Sequence, residues 1–120
     1  MTVRRVKTYT AQTGYVYEYY FVGRRAALPT DPLAPSAEFI FDASADRKSI
    51  FAVSVFVPSR ALDAYAAEHG RTLSEPEQYA AAKLRLLQGF DEIADMLHQG
   101  RRLTVDAESL VSLLQSIGID

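Results

Sequence analysis

No cysteine occurs among the 120 residues, which excludes disulfide frameworks, thiolate metal sites and cysteine nucleophiles at once. No stretch approaches the ~20 consecutive apolar residues a membrane span needs, and the charged start "MTVRRVKTYT" lacks the apolar core of a signal peptide. The six glycines form neither a P-loop nor a dinucleotide fingerprint, and no G-x-S-x-G motif is present. Internal repeats and low-complexity tracts are absent as well. A soluble, cytoplasmic protein without a recognised catalytic motif is the expectation from these absences.

Charge of one sign is also scarce. The formal net charge is -2, with seven Lys/Arg against five Asp/Glu in residues 1–57 and six against ten in residues 58–120. Neither half has the dense basic patch that phosphate contacts require. The arginine pairs Arg4/Arg5, Arg24/Arg25 and Arg101/Arg102 read as solvated charge at the ends of elements, and no nucleic-acid or membrane partner is expected. The two histidines, His69 and His98, fall at predicted helix C-termini, where the helix dipole favours a partly charged imidazole. Neither "AAEHG" nor "MLHQG" supplies a second metal ligand, so no metal and no cofactor is expected.

What is present is a change of rule. Apolar residues recur with period 2 in the first half and period 3.6 in the second, switching at "VPSR", Val57 to Arg60. The pattern predicts one α+β domain over residues 1–120, with a four-stranded antiparallel sheet from the N-terminal half and about three helices packed on one face. At this length a chain buries roughly 65% of its unfolded surface, enough for one core.

The strands are predicted at Val3–Thr10, Tyr15–Val22, Ala37–Ala43 and Ser49–Val57, the first two forming a hairpin around Gly14. Between the second and third, "GRRAALPTDPLAPS" carries Pro29, Pro32 and Pro35 and suits an extended surface connection. "SADRK" makes a polar turn without glycine. Ser59 is placed to cap the first helix, whose apolar face is Leu62, Tyr65 and Ala66 and which Gly70 ends. The second helix opens on "SEPE", in which Ser74 and Glu77 have capping-box spacing and Pro76 falls in the first turn. Its stripe Tyr79, Ala82, Leu86, Phe90, Ile93 and Leu97 predicts about six turns, ending at Gly100. Asp106 caps a third helix carrying Leu110, Val111, Leu113, Leu114 and Ile117.

The densest feature is "TGYVYEYYFVGRR", with four tyrosines and a phenylalanine in Tyr15 to Phe21. On a strand Tyr15, Tyr17, Tyr19 and Phe21 share one face, and Val16, Glu18, Tyr20 and Val22 share the other. The apolar sets Phe39/Phe41 and Phe51/Val53/Val55/Val57 place the first face in the core and require odd positions to pair with odd. The opposite face then mixes Glu18, Tyr20, Glu38, Asp42 and Ser54 with Val16, Val22, Ile40, Ile50 and Phe56. Such a face is too apolar for free solvation and too polar for a core.

Three arrangements satisfy that mixture. The face is partly covered by the proline loop or a terminus; or it meets a second copy of the chain through Val16, Glu18, Tyr20, Val22, Glu38, Ile40 and Asp42; or Glu18, Glu38 and Asp42 converge and raise one carboxyl pKa, making a general acid. The sequence reading is a non-catalytic interaction or regulatory module that forms a homodimer through this face. The alternative is a small-molecule-binding protein or small enzyme whose pocket is lined by Tyr15, Tyr17, Tyr19 and Phe41 under the Leu28 to Pro35 loop.

Overall fold

A computed structural model describes residues 5–120. Nine elements follow one another: β1 (Lys7–Thr10), β2 (Val16–Ala26), β3 (Ser36–Ser44), β4 (Phe51–Pro58), α1 (Ser59–His69), α2 (Glu75–Glu92), α3 (Met96–Gln99), β5 (Arg102–Thr104) and α4 (Ala107–Gln115). They build the expected α+β architecture, a mostly antiparallel sheet with helices packed on it. The sheet has five strands rather than four, in the order β1-β2-β3-β4-β5, and β5 runs parallel to β4. Of the first predicted strand, Val3 and Arg4 lie outside the described residues.

The pairing of odd with odd holds. Phe41 lies between Phe21 on β2 and Val53 on β4, and Phe39 pairs with Val55. Phe39, Phe41, Val53, Val55 and Val57 are buried together with Leu86 and Phe90 of α2 and Leu110 and Leu114 of α4. Tyr17 joins them by stacking on Phe90, the ring centroids 4.0 Å apart. The β1–β2 hairpin is clipped to the end of α2, where the Tyr9 hydroxyl donates to Asp91 Oδ2 at 2.6 Å and the Gln12 amide donates to Asp91 Oδ1 at 2.9 Å. Asp91 therefore satisfies an otherwise loose turn as well as a ring hydroxyl.

The β3–β4 turn works without glycine because side chains take over the backbone donors. Asp46 Oδ1 accepts from the amides of Lys48 and Ser49, and Ser44 Oγ accepts from the Arg47 amide, holding Arg47 at φ 65°. Asp and Ser are suited to this role because a short polar side chain reaches its own backbone.

Three of the boundaries that differ from the sequence reading bear on the sheet face and the packing. β2 runs on to Ala26 because its register shifts between Phe21 and Gly23, setting Val22 and Gly23 together opposite Ile40. This bulge reverses the alternation, so Arg24 turns inward over the Phe39 ring at 5.7 Å while Arg25 faces outward opposite Glu38. That pair is thus inside a strand, not at its end. At α1, Pro58 rather than Ser59 is the cap residue, and it offers no side-chain bond; the Ser59 amide instead donates to the Pro35 carbonyl. The long helix ends at Glu92, Ile93 becomes extended, and Asp95 caps the separate short helix α3 by accepting from the His98 amide. Just before this break Gly89 lets α2 lie close to β5, since an added Cβ would meet Leu103 Cδ1 at 2.9 Å. The helix approaches β5 closely at that point, and the chain must leave the helix axis to form β5.

The remaining start signals hold as read. Ser74 and Glu77 form the complete capping box of α2, Asp106 accepts from the Ser109 amide at the head of α4, and Gly70 closes α1 at φ 70°.

Candidate functional site

The outer face of the sheet divides into two ends with different chemistry. At the β4–β5 end, the connection after β2 folds over the face, and Arg102 Nη2 donates to both Asp31 carboxylate oxygens at 2.9 and 3.0 Å. That contact fixes the guanidinium above the Phe56 ring, 4.4 Å from its centroid, and Phe56 is fully buried although it belongs to the outer set. The proline loop thus shields this end, one of the three arrangements weighed from sequence.

Glu38 lies beneath the same cover at 6% exposure. Burial opposes its charge, but Arg25 Nε donates to Oε1 at 3.0 Å and Ser54 Oγ donates to Oε2 at 2.6 Å. The donors prevail and hold the carboxyl below the usual range, so it stays ionised and is not poised as a general acid. Its placement also removes Glu38 from any open interface.

Over the β1–β2 end no helix lies among the described residues, and Arg47 of the β3–β4 turn reaches its edge. Tyr20 donates to Asp42 Oδ2 at 2.7 Å, and Arg47 pairs with Glu18 at 3.0 Å. These groups and Ile50 border a depression of about 170 Å³. Around it Val16, Val22 and Ile50 are 44%, 42% and 64% exposed. Ile40 and Asp42 lie half-buried between them. The three acids singled out from sequence therefore do not meet: Glu18 and Asp42 share the depression, and Glu38 sits at the covered end with its own arginine.

The expected aromatic pocket is not formed. Tyr17, Tyr19 and Phe41 are core side chains under α2, and burial pushes both phenol pKa values up. Only Tyr15 reaches solvent, at 49% exposure, and the 28–35 loop crosses the other face of the sheet. Strand alternation put four rings on one face, but the helices cover only the middle of that row.

The uncovered end of the row forms a site that sequence reasoning missed. Phe21 is 37% exposed and packs edge-to-face on Tyr79 of α2, centroids 4.9 Å apart. With Phe39, Pro76, Arg24 and Glu75 these rings border an apolar groove of about 430 Å³. The available signal was Tyr79 and Pro76 in the first turns after "SEPE", on the helix that had to cross this strand.

Among the described residues no group of three His, Asp or Glu side chains is placed to hold a metal ion. His69 stacks on Tyr65 with centroids 4.0 Å apart, and His98 Nδ1 lies 3.0 Å from its own cap residue Asp95. No helix among those residues is long and apolar enough to cross a membrane. The fold and face define an α+β two-layer domain with one bare sheet end. Comparison of the chain with protein-family models, curated proteins and solved structures finds no match to any of the three.

Proposed function

We propose that this chain is a non-catalytic interaction module that pairs with a second copy of itself through the bare end of the sheet's outer face. The observation that carries the reading is the exposure of Val16, Val22 and Ile50 on a face that no helix among the described residues covers, around polar groups already paired within the chain. Apolar side chains ringed by such groups have the composition of an interface core and rim. Internal pairing matters for a self-complementary contact, because an unpaired carboxylate near a two-fold axis would face its own copy at close range. The Arg47 cation offsets the Glu18 charge, and the Tyr20 hydroxyl gives Asp42 a hydrogen-bond donor within the chain. Glu38, covered by the loop, contributes stability to the face rather than contact.

Light scattering coupled to size exclusion tests the reading directly. Wild-type protein at tens of micromolar is expected at about twice the chain mass of 13.3 kDa. A single species at the chain mass would remove the self-association reading.

A further inference from the structure

Strand β2 is far longer than its neighbour on one side. β1 pairs with it only from Val16 to Tyr19, whereas β3 pairs with it as far as Ala26. From Phe21 onward β2 is therefore an edge of the sheet, with no strand and no backbone hydrogen bond from another segment on that side among the described residues. The Ala27 amide donates to the Ser36 carbonyl at 2.9 Å, across to β3. By alternation Gly23 and Arg25 also turn their amides toward β3, and Arg24 and Ala26 turn theirs outward. At ~3.4 Å per residue the open run spans ~20 Å, the length of an ordinary strand, and such an edge is a template for one more.

The open run borders the aromatic groove. Phe21 and Arg24 are the β2 side chains that line it, together with Phe39 and with Pro76 and Tyr79 in the first turns of α2. Phe21 keeps 37% exposure although it packs on Tyr79, so ring surface remains for a further apolar side chain to cover. Directly opposed residues of neighbouring strands share a face, and a side chain opposite Phe21 on an added strand would enter the groove. Backbone groups open to pairing and a side-chain pocket beside them are the two parts of recognition by strand addition.

The charges select which strand fits. Arg24 and Arg25 are exposed on the open run, one on each face of the sheet, and no acid stands on it. The carboxylates that answer them, Glu75 and Glu38, belong to α2 and to the covered part of the sheet. A second copy laid antiparallel on the same run would set arginines against arginines, the arrangement by which natural edges resist self-pairing. An acidic strand gains from the same two residues. The bulge sets the spacing, because Val22 and Gly23 together oppose the single residue Ile40 on β3. A new strand that follows Phe21 and Arg24 on the helix side likewise crosses the bulge with one residue.

We infer that the open edge of β2 receives an extended acidic segment of a partner protein. It runs antiparallel to β2, as β1 does, with two consecutive acids beside Arg25 and Arg24 and, after one further residue, an apolar side chain in the groove against Phe21 and Tyr79. This site goes beyond self-association and needs neither a second copy nor Val16 and Ile50 of the outer face, so a monomeric wild-type chain leaves it standing.

A blocked synthetic peptide with the core Glu-Glu-Thr-Phe is the probe. One control carries Lys-Lys-Thr-Phe; the other is the acidic peptide N-methylated at its second glutamate and its phenylalanine, which keeps every side chain and removes the donors that face β2. In titrations of the wild-type chain followed by amide chemical shifts, the acidic peptide is expected to perturb Phe21, Arg24, Ala26 and Tyr79 and to slow hydrogen exchange at the Arg24 and Ala26 amides. The lysine peptide should bind about tenfold more weakly, and the N-methylated peptide should show no binding. Arg24→Glu is expected to narrow or reverse the preference between the two charged peptides. Equal binding of the N-methylated peptide would reduce the site to side-chain contacts and overturn strand addition, and equal affinity for the two charged peptides would overturn the choice of partner. Perturbations centred elsewhere, or no binding at millimolar peptide, would remove the site. Binding that appears only after residues 1–4 are deleted would make the chain's own N-terminus the occupant and overturn the assignment to a partner. Should Arg24→Glu fail to fold, the three peptides on the wild-type chain decide the question.

Discussion

The Tyr20 hydroxyl donates to Asp42 Oδ2 at 2.7 Å across directly paired positions of β2 and β3. This bond lies within the bare sheet end, beside the depression bordered by Glu18 and Ile50. Tyr20→Lys exchanges the ring for a long, flexible cation that a contact across this face would have to desolvate. In a two-fold contact the same cation would face its own copy. The variant is expected to elute and scatter light as a 13.3 kDa monomer with an unchanged far-UV circular dichroism spectrum. A variant that remains dimeric would move the interface to the helices.

Phe90 is fully buried and stacked on Tyr17, whereas Gln88 of the same helix is exposed. Phe90→Ala removes a ring from a packed site and should cost ~3 to 5 kcal/mol, and Gln88→Ala should stay within about 0.5 kcal/mol of wild type. Urea denaturation of both variants measures the difference. Equal midpoints would contradict the packing of α2.

The Glu77 carboxyl is held down to about 2, first by the Arg71 guanidinium and then by the Ser74 amide. Its folded pKa thus lies below the ordinary 4.5, so its contribution is complete above that value and fades as pH falls from there toward about 2. Denaturation midpoints measured across that window should drop with acidification in the wild type. In Glu77→Gln the drop should be smaller, with the midpoint already reduced at neutral pH. Parallel curves for the two proteins would show that this capping box carries no proton linkage.

Ser54→Ala removes the 2.6 Å donor to Glu38 and leaves a carboxylate under the loop with one fewer partner. The expected cost is ~1 to 3 kcal/mol, the range for an unsatisfied buried charged group. It should shrink in the Glu38→Gln background, where no charge needs the donor. A double-mutant cycle by chemical denaturation provides the check, and additivity would argue that the bond contributes nothing.

Much of this fold was legible because local chemistry and the required burial agree. "SEPE" specifies both partners of a capping box within four residues, and Phe39/Phe41 against Phe51/Val53/Val55 requires odd positions to pair with odd so that these apolar sets share one face. Elsewhere the local signal was weak or misleading. The β5 strand is three residues long, too short for periodicity, and its parallel partner lies some fifty positions away. Ile93 and Leu97 continue the helical spacing past Glu92, yet Leu97 is exposed, because Ile93 is extended and the chain restarts as the separate helix α3. Gly23 marked a bulge that the strand assignment stopped short of.

The sequence alone determined which residues face the core along β2, β3 and β4, where most helices begin, and that chemistry based on cysteine is impossible. Side-chain alternation and capping are local, so they can be read without coordinates. Only the tertiary structure decided the fates of residues that share a face. It set Glu38 under the Asp31–Arg102 contact while leaving Glu18 and Asp42 in the open depression. It buried Tyr17 and Tyr19 and left Tyr15 and Phe21 at the margins. Burial and charge pairing depend on what covers a residue, and that covering comes from distant segments whose positions no local pattern encodes.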